Sequence, residues 1–430
     1  MSYSVLKALI KILFFVSFVL SASPTYATHL IGGYMSYVYL GDAPNGNSRY
    51  RVKISVYRDC FQSDVPFDQE IPLGIYYNNE KKQLLKVEKL SLGPVSKVKP
   101  PGSDDCDYYA KNICIEYGYY EGVIEVPVYS NGYHLTFVRC CRNHQDNIPD
   151  KDGAPFQGQT YYGFIPNNSL KNSSPAFSVV PSAFICSNDT STIVFNAVDL
   201  DGDELSYKFV HPYQGGEPTT NGSIPDPPDT LSIPIIPVYY NQDYNADYPF
   251  GTNNNSFTSI DEVTGLAKLV ATEKGSYVLA VEVTEKRNGE ILSVVRMDLQ
   301  VLVLDCPANQ VPTITASTEK QVHVEAGEEL CITITGQDAD NDEVEISANG
   351  IVLNGQGGFV GTKATFPVAK QVGEVNSVFC WDTDCDHARV EPYVVTFKAQ
   401  DNGCPPKSRY LDIAIYVDSF VGASEITGPK

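Results

Sequence analysis

The sequence predicts an all-β protein in which tandem β-sandwich domains follow a β-rich N-terminal domain. Short runs of alternating Val, Ile, Tyr, Phe and Thr recur along the chain, as in residues 50–57, 276–283 and 410–417. This period of two is typical of half-buried strands. The 32 Gly and 28 Pro residues supply turns between the runs. A long internal repeat indicates that one domain is duplicated.

Residues 1–27 have the pattern of a secretory signal peptide. Lys7 and Lys11 give a positive start, residues 12–20 are apolar, and Ala27 ends a small-residue cleavage site. The apolar run is shorter than the about 20 residues that a membrane-spanning helix needs. We therefore expect an exported, secreted or cell-surface chain that has no membrane span after cleavage.

Two stretches predict domain boundaries in the exported part. Residues 167–174 are rich in Asn and Ser and precede a proline-bounded segment, and residues 305–312 form a short linker after a strong strand pattern. The chain is predicted to divide into five segments: signal peptide 1–27, β-rich N-terminal domain 28–175, first sandwich 176–306, second sandwich 307–418, and an unstructured tail 419–430.

The two predicted sandwiches share a repeat. Residues 193–207 align without a gap, at an offset of 139 residues, on a segment that ends at Ile346. Further on, residues 281–285 correspond to residues 397–401. A period above one hundred residues indicates duplicated domains and not a solenoid of small units.

The repeat contains the strongest candidate for a functional site. Each copy places three aspartates at alternate positions just after an apolar strand. Carboxylates packed together in a tight turn repel one another, and a hard cation with six to eight oxygen ligands relieves this repulsion. Ca²⁺ suits flexible loops better than Mg²⁺. The predicted ligands are Asp199, Asp201, Asp203 and Glu285 in the first copy, and Asp338, Asp340, Asp342 and Asp401 in the second. The alternative is an acidic β-turn exposed to water, since Asp and Gly are common in turns.

Charge and motifs exclude several classes of function. The formal net charge of −21 excludes nucleic acid as a natural partner. The six histidines form no zinc-hydrolase motif, and no nucleophile elbow or phosphate loop is present. The sequence therefore predicts no catalytic residues and no enzyme activity.

Eleven cysteines indicate disulfides formed in an oxidising compartment. Cys186 and Cys306 bracket the first predicted sandwich, and a bridge between them would close a loop of about 120 residues. The connectivity among the four cysteines of the second sandwich stays open, and the N-terminal domain has an odd number. The open sets are Cys331, Cys380, Cys385 and Cys404, and Cys60, Cys106, Cys114, Cys140 and Cys141.

The acidic turns resemble those of cadherin-like sandwich repeats in secreted proteins. Cadherins hold an interdomain calcium with an Asp-x-Asp pair, an acidic linker and an Ala-x-Asp-x-Gly-x-Pro segment. This chain offers Asp338 and Asp340, the linker 305–312 and residues 399–405. The linker departs from the cadherin pattern, so an interdomain and an intradomain calcium site are both admissible. Glu285 takes the position of Asp401 in the first copy.

A closer resemblance covers most of the chain. The chain looks similar to large secreted surface proteins of Bacteroidetes. The similar segments are residues 28–33, 56–60, 139–143, 296–298 and 379–385. Many of those proteins carry a gliding-motility-associated C-terminal sorting domain for type IX secretion. The resemblance implies immunoglobulin-like modules and a role in adhesion or motility. No sorting domain follows Val417, so we expect either a truncated chain or a short member of that group.

The sequence thus predicts a secreted or cell-surface structural or adhesive protein with calcium-stiffened modules, linked to gliding motility or surface attachment. Its expected partners are surface glycans or other surface proteins. The alternative is a carbohydrate-binding module, because 28 Tyr and 19 Phe offer ring faces that can stack on sugars. Cross-strand and core pairing is the commoner fate of aromatic side chains in sheets.

Overall fold

The computed structural model of the chain is almost entirely β-structure, which confirms the predicted all-β class. It describes residues 30–61, 65–98, 113–140, 142–149, 158–178, 184–216, 224–252, 255–355, 359–404 and 406–419. The predicted signal peptide and residues 420–430 of the predicted tail lie outside these ranges. Within them, no helix is long and apolar enough to cross a membrane.

The described residues of the N-terminal part form eight strands: β1 (Leu30–Asp42), β2 (Ser48–Asp59), β3 (Glu70–Tyr77), β4 (Leu84–Leu92), β5 (Ser96–Val98), β6 (Ile115–Val126), β7 (Tyr133–Arg139) and β8 (Gly158–Ile165). Burial alternates along the first half of β2, where Tyr50, Val52 and Ile54 are buried and Arg49 and Arg51 are exposed. The period of two in the sequence therefore places one face of this strand in the core.

The middle part begins after a 3-10 helix (Asn168–Leu170). Ten strands are described in it: β9 (Ala176–Phe177), β10 (Phe184–Cys186), β11 (Ser191–Val194), β12 (Ala197–Val198), β13 (Glu204–Val210), β14 (Gln214–Gly215), β15 (Phe257–Ile260), β16 (Leu266–Val270), β17 (Gly275–Arg287) and β18 (Glu290–Leu304). Nine consecutive residues of β17, 277–285, are buried. Because successive side chains point to opposite faces, both faces of this strand are covered.

One large sheet joins the N-terminal and middle parts. Its main order is β13-β17-β18-β1-β2-β6-β4-β3-β7-β8-β14. Strand β1 pairs antiparallel with β18, with Gly32 opposite Leu299 and Gly33 opposite Asp298. The sheet therefore continues across residue 175, where the sequence predicted a boundary, and the division of the chain into domains stays a prediction.

Two glycines allow β1 to lie between β18 and β2. Gly32 has φ +151°, and a Cβ atom there would lie 2.0 Å from the carbonyl oxygen of Asp298. A Cβ atom on Gly33 would lie 2.2 Å from the carbonyl oxygen of Ser55 and 2.7 Å from the ring of Tyr161. Any larger residue would push these backbones apart, so the Gly-Gly pair is required by close approach.

A buried ion pair lies on β18, at the position that faces Gly33 of β1. The guanidinium of Arg142 donates to Asp298 through Nη1 (2.9 Å) and Nη2, and its Nε donates to the carbonyl oxygen of Gly158 (2.9 Å). Its Nη2 also donates to the carbonyl oxygen of Tyr213 (3.0 Å). Both charged residues are buried, and the bidentate geometry with further acceptors is what a buried pair needs. The pair links β18 to the starts of β8 and β14.

The C-terminal part is a sandwich of two sheets, here called the C-terminal sandwich. Its strands are β19 (Thr313–Ala316), β20 (Gln321–Glu325), β21 (Glu329–Gln337), β22 (Glu343–Asn349), β23 (Ala369–Val372), β24 (Glu374–Asp382), β25 (Tyr393–Asp401) and β26 (Ser408–Asp418), with helix α1 (Ile351–Asn354) and a 3-10 helix (Cys385–His387) between them. The sheets have the orders β19-β21-β24 and β20-β26-β25-β22-β23. Phe379, Trp381 and Phe397 fill the core between the sheets.

Three disulfides are described: Cys60–Cys114, Cys186–Cys306 and Cys331–Cys380. The second confirms the bridge predicted around the middle part. Cys140 and Cys404 are disulfide-bonded as well, whereas Cys385 is free and exposed. The four cysteines of the C-terminal part therefore do not form two bridges among themselves. The predicted odd cysteine of the N-terminal part stays a prediction, because Cys106 and Cys141 lie outside the described residues.

We expect Arg142→Gln to lower the free energy of unfolding by about 3 to 5 kcal/mol, since it leaves the carboxylate of Asp298 buried without its partner. Denaturant unfolding followed by intrinsic fluorescence measures this change. The control is Arg51→Gln, because Arg51 forms an exposed ion pair with Glu121 that is worth at most about 1 kcal/mol. An equal decrease in the free energy of unfolding for the two substitutions would show that the buried pair stabilises the fold no more than the exposed pair does.

Candidate metal centres

Two acidic turns occupy equivalent places after an apolar strand. The middle turn (residues 199–203) joins β12 to β13, and the C-terminal turn (residues 338–342) joins β21 to β22. In the middle turn, Asp199 Oδ1 accepts the backbone N–H groups of Asp201 and Asp203, both at 2.9 Å. These hydrogen bonds fold the backbone around the carboxylate of Asp199 and bring the carboxylates of Asp201 and Asp203 toward it.

The C-terminal turn repeats this geometry. Asp338 Oδ1 accepts the N–H groups of Asp340 at 2.9 Å and of Asp342 at 3.1 Å. The fourth residue of each turn is left-handed, with φ +77° at Gly202 and +64° at Asn341. Gly and Asn are the residues that adopt this conformation most easily, which explains the Asp-Gly-Asp and Asp-Asn-Asp sequences.

The structure brings together all four predicted residues of the middle site. One carboxylate oxygen each from Asp199, Asp201, Asp203 and Glu285 lies within 4.8 Å of the others. At the C-terminal turn, Asp338, Asp340 and Asp342 meet the same limit, and Asp401 does not belong to that group. Burial raises the pKa of Asp401, and the nearby charge of Asp338 adds a smaller increase.

Strand register supports the equivalence of Glu285 and Asp401. Glu285 lies opposite Leu205 in the β13–β17 ladder, and Asp401 lies opposite Val344 in the β22–β25 ladder. Leu205 and Val344 are related by the 139-residue offset of the repeat. Each site therefore combines an acidic turn with one acid from a neighbouring strand.

Four carboxylate oxygens at these sites are buried without a hydrogen-bond donor. They are Asp199 Oδ2, Glu285 Oε1, Asp338 Oδ2 and Asp401 Oδ2. The four residues are only 8%, 0%, 6% and 2% exposed. Burying an acceptor without a partner costs free energy, and native proteins avoid it. The oxygens are therefore placed to receive a ligand, either a proton or a cation.

The pKa values of these acids reflect the same burial. Burial, with smaller contributions from the charges of Asp203 and Asp201, raises the pKa of Asp199 to about 6. Burial and the charge of Asp199 raise the pKa of Glu285 well above its usual range. Burial and the charge of Asp338 also raise the pKa of Asp342. A bound cation would favour the ionised forms that the protein interior alone disfavours.

Each turn also holds the linker that precedes its part of the chain. Asp201 Oδ2 accepts the backbone N–H of Ser173 at 2.6 Å, and Asp340 Oδ2 accepts that of Gln310 at 2.6 Å. The linker residue lies 28 positions before its aspartate in one case and 30 in the other. Asn309, next to Gln310, donates through Nδ2 to Asp401 Oδ1 (3.1 Å).

The contact made by the first of these linkers was not predicted from the sequence. Residues 305–312 were expected beside the C-terminal turn, whereas the Asn/Ser-rich residues 167–174 were expected only as a domain boundary. The signal that could have found the contact is an Asn followed by a polar residue, Asn172-Ser173 and Asn309-Gln310, at almost the same distance before each acidic turn.

An arginine distinguishes the two sites. Arg287 donates through Nε to Asp203 Oδ1 (2.7 Å) and through Nη2 to Asp203 Oδ2 (2.6 Å). At the C-terminal turn, no described lysine or arginine forms an ion pair with the three aspartates. Gly403 follows Asp401 at the same spacing as Arg287 follows Glu285. The middle site thus has an internal cation, which leaves fewer oxygens free for a metal ion.

A third group of possible ligands lacks the thiolates that a metal ion would need there. Glu329, Cys331 and Cys380 lie close together, but the two cysteines form a disulfide and so offer no thiolate. The chemistry available at the acidic turns is therefore that of oxygen ligands alone, which favour hard cations.

No protein-family model and no curated protein matches the chain. Among solved structures, it is similar to the fibronectin(III)-like modules of Clostridium thermocellum CbhA, at 14% identity over 57% of this chain and 95% of that one, with a TM-score of 0.17. It is also similar to extracellular cadherin domains 1–4 of protocadherin gamma B7, at 13% identity over 90% and 92% of the two chains, with a TM-score of 0.18. A third is the pair of V-type regions of VCBP3, at 12% identity over 57% and 99%, with a TM-score of 0.21. At these identities and TM-scores, the similarity carries no argument about function.

Proposed function

We propose that the chain is an exported structural or adhesive protein whose acidic turns bind Ca²⁺ and thereby fix the linkers beside them. One observation carries the proposal. At each turn, an aspartate accepts a linker N–H while two buried carboxylate oxygens nearby have no donor. A cation bound at those oxygens would hold the turn, the neighbouring strand and the linker in one arrangement.

Ca²⁺ fits these sites better than Mg²⁺. Both turns are irregular backbone, and their carboxylates are not arranged as an octahedron. Mg²⁺ requires near-octahedral geometry. Ca²⁺ accepts six to eight oxygen ligands. The residues that would hold it are Asp199, Asp201 and Glu285 at the middle site, and Asp338, Asp342 and Asp401 at the C-terminal site. Water and backbone carbonyl groups would complete the coordination.

The same proposal places the protein outside the cytoplasm. Three described disulfides are typical of oxidising compartments, where calcium is abundant enough to fill weak sites. The resemblance to Bacteroidetes surface proteins supports a role in surface attachment or gliding motility, with surface glycans or other surface proteins as partners. In this role the chain would act through rigidity and binding and not through catalysis.

Saturating Ca²⁺ should raise the melting temperature of the full chain relative to chelator. An ion at one hundred times its dissociation constant stabilises the folded state by about 2.7 kcal/mol per site. Differential scanning calorimetry measures the shift, and Mg²⁺ at the same concentration serves as the control ion. Identical melting curves in Ca²⁺ and chelator would end the calcium proposal.

Removing one ligand from the C-terminal turn should abolish one of two calcium-binding events. Asp342 is half-buried, and neither of its carboxylate oxygens accepts a described hydrogen bond, so Asp342→Asn should leave the fold intact. Isothermal titration calorimetry should then show one remaining ion, bound at the middle site. The matched control is Asp386→Asn, an exposed acid of the same sandwich, which should still bind two. A stoichiometry unchanged by Asp342→Asn would contradict the assignment.

In chelator, the free energy of unfolding should fall as pH rises from 4 to 7. The pKa of Asp199 is raised from 3.8 to about 6 in the folded chain, so its stabilising contribution is complete below pH 4 and is lost as pH rises through 6. The loss from Asp199 alone is about 2 kcal/mol. Urea unfolding at several pH values measures it.

The variant for this experiment is Asp199→Asn, which keeps the Oδ1 acceptor of the turn and removes the titrating carboxyl group. The free energy of unfolding of this variant should therefore depend less on pH. Asp226→Asn, which changes an exposed acid, should retain the slope of the parent chain. Stability that rises across this window in the parent chain would refute the pH prediction.

A further inference from the structure

A cavity of about 340 Å³ lies between the middle part of the chain and the C-terminal sandwich. One wall is formed by the middle turn and the start of β13. The other is formed by helix α1 and by the segment that leads from Arg389 into β25. This volume lies within the range of small-molecule sites, about 300 to 1,000 Å³.

The lining of the cavity is largely apolar. Val198, Leu205 and Val263 line it on the middle side, and Ile351, Val390 and Val394 line it on the sandwich side. Such a lining favours an occupant with an apolar body, because burying that body removes apolar surface from water. It also disfavours a bare sugar ring, whose hydroxyl groups would need several partners.

Arg389 is the cationic group of the lining. Its Nε donates to the carbonyl oxygen of Glu391 and its Nη2 to that of Pro392, both at 3.0 Å, and it packs 3.8 Å from the ring centroid of Tyr393. Among the described residues no carboxylate forms an ion pair with it, and its Nη1 has no hydrogen bond. Burial lowers its pKa below the ordinary value, as expected for a desolvated cation.

Nη1 of Arg389 faces the tip of the middle turn. A Cβ atom on Gly202 would lie 3.8 Å from it and would meet no other atom within 4 Å. The planar guanidinium is well suited to bind a carboxylate. The donor thus lies beside open space in a partly enclosed, mostly apolar cavity, and a lower local dielectric there strengthens a charge-assisted hydrogen bond.

We propose that this cavity binds a small organic carboxylate with an apolar body, whose carboxylate pairs with Arg389 and whose body lies between Leu205 and Val394. Four acids, Asp199, Asp203, Glu204 and Glu391, also line the cavity, and their negative charge opposes the binding of an anion. In this respect the inference rests on the proposed function, because Ca²⁺ at the middle turn would offset the charge of Asp199 and Asp203 and strengthen anion binding.

The test uses 4-phenylbutyrate as the probe, titrated calorimetrically into the full chain in saturating Ca²⁺. The comparison ligands are 4-phenylbutanol, 4-phenylbutylamine and glucuronate. We expect the carboxylate to bind at least tenfold more tightly than the alcohol and the amine, and glucuronate to bind more weakly than the apolar acid. Equal binding of alcohol or amine, preference for glucuronate, or no binding of the apolar acid would each overturn the proposal.

Arg389→Gln should weaken 4-phenylbutyrate binding at least tenfold. The matched control is Arg409→Gln, which changes the other arginine of the C-terminal sandwich and should bind as the parent chain does. Val390→Trp is a second variant that does not disturb the core, because Val390 is 85% exposed at the rim of the cavity. It should block the cavity and abolish binding. Unchanged binding in Arg389→Gln or in Val390→Trp would contradict the site.

A repeat of the titration in chelator separates this inference from the calcium proposal. Weaker binding in chelator supports both. Binding that is equal in Ca²⁺ and chelator, together with identical melting curves, would refute the calcium sites and leave the carboxylate site standing. A calcium-dependent melt without any binding of 4-phenylbutyrate would refute the carboxylate site alone.

Discussion

The buried ion pair between Arg142 and Asp298 is the interaction on which the N-terminal half of the fold depends. Asp298 lies on β18, directly opposite Gly33 on β1, and its backbone carbonyl packs against Gly32. Three distant segments of the sequence thus meet at one point of the large sheet. Without the guanidinium, β18 would carry an uncompensated charge at the position where the N-terminal and middle parts join.

The second constraint is the free-energy cost of burying carboxylates. The acidic turns curl tightly because the first aspartate of each binds two backbone N–H groups. That geometry leaves its second oxygen inside the protein without a donor. The middle site offsets part of the cost with Arg287, whereas the C-terminal site has no comparable group among the described residues. The two copies of the repeat have therefore diverged in electrostatics while keeping the same backbone.

Local patterns in the sequence predicted the all-β class, the Cys186–Cys306 bridge and the convergence of Asp199, Asp201, Asp203 and Glu285. These features follow from alternation, from composition and from a repeat with a constant offset. The pairing of β1 with β18 could not be predicted in this way, because its strands are far apart in the chain and alternation does not specify partners. Arg287 was missed for a related reason, since the repeat has Gly403 at the equivalent position and so gives no signal.

The Cys186–Cys306 bond also determines how this protein would respond to mechanical load. The bond joins residues 120 positions apart, and β10 and β18 run parallel beside it. Tension entering from either end would pass through the covalent bridge and bypass the enclosed segment. The hidden contour length is about 400 Å at 3.3 to 3.6 Å per residue. A chain built in this way resists extension in its middle part even after its hydrogen bonds have ruptured.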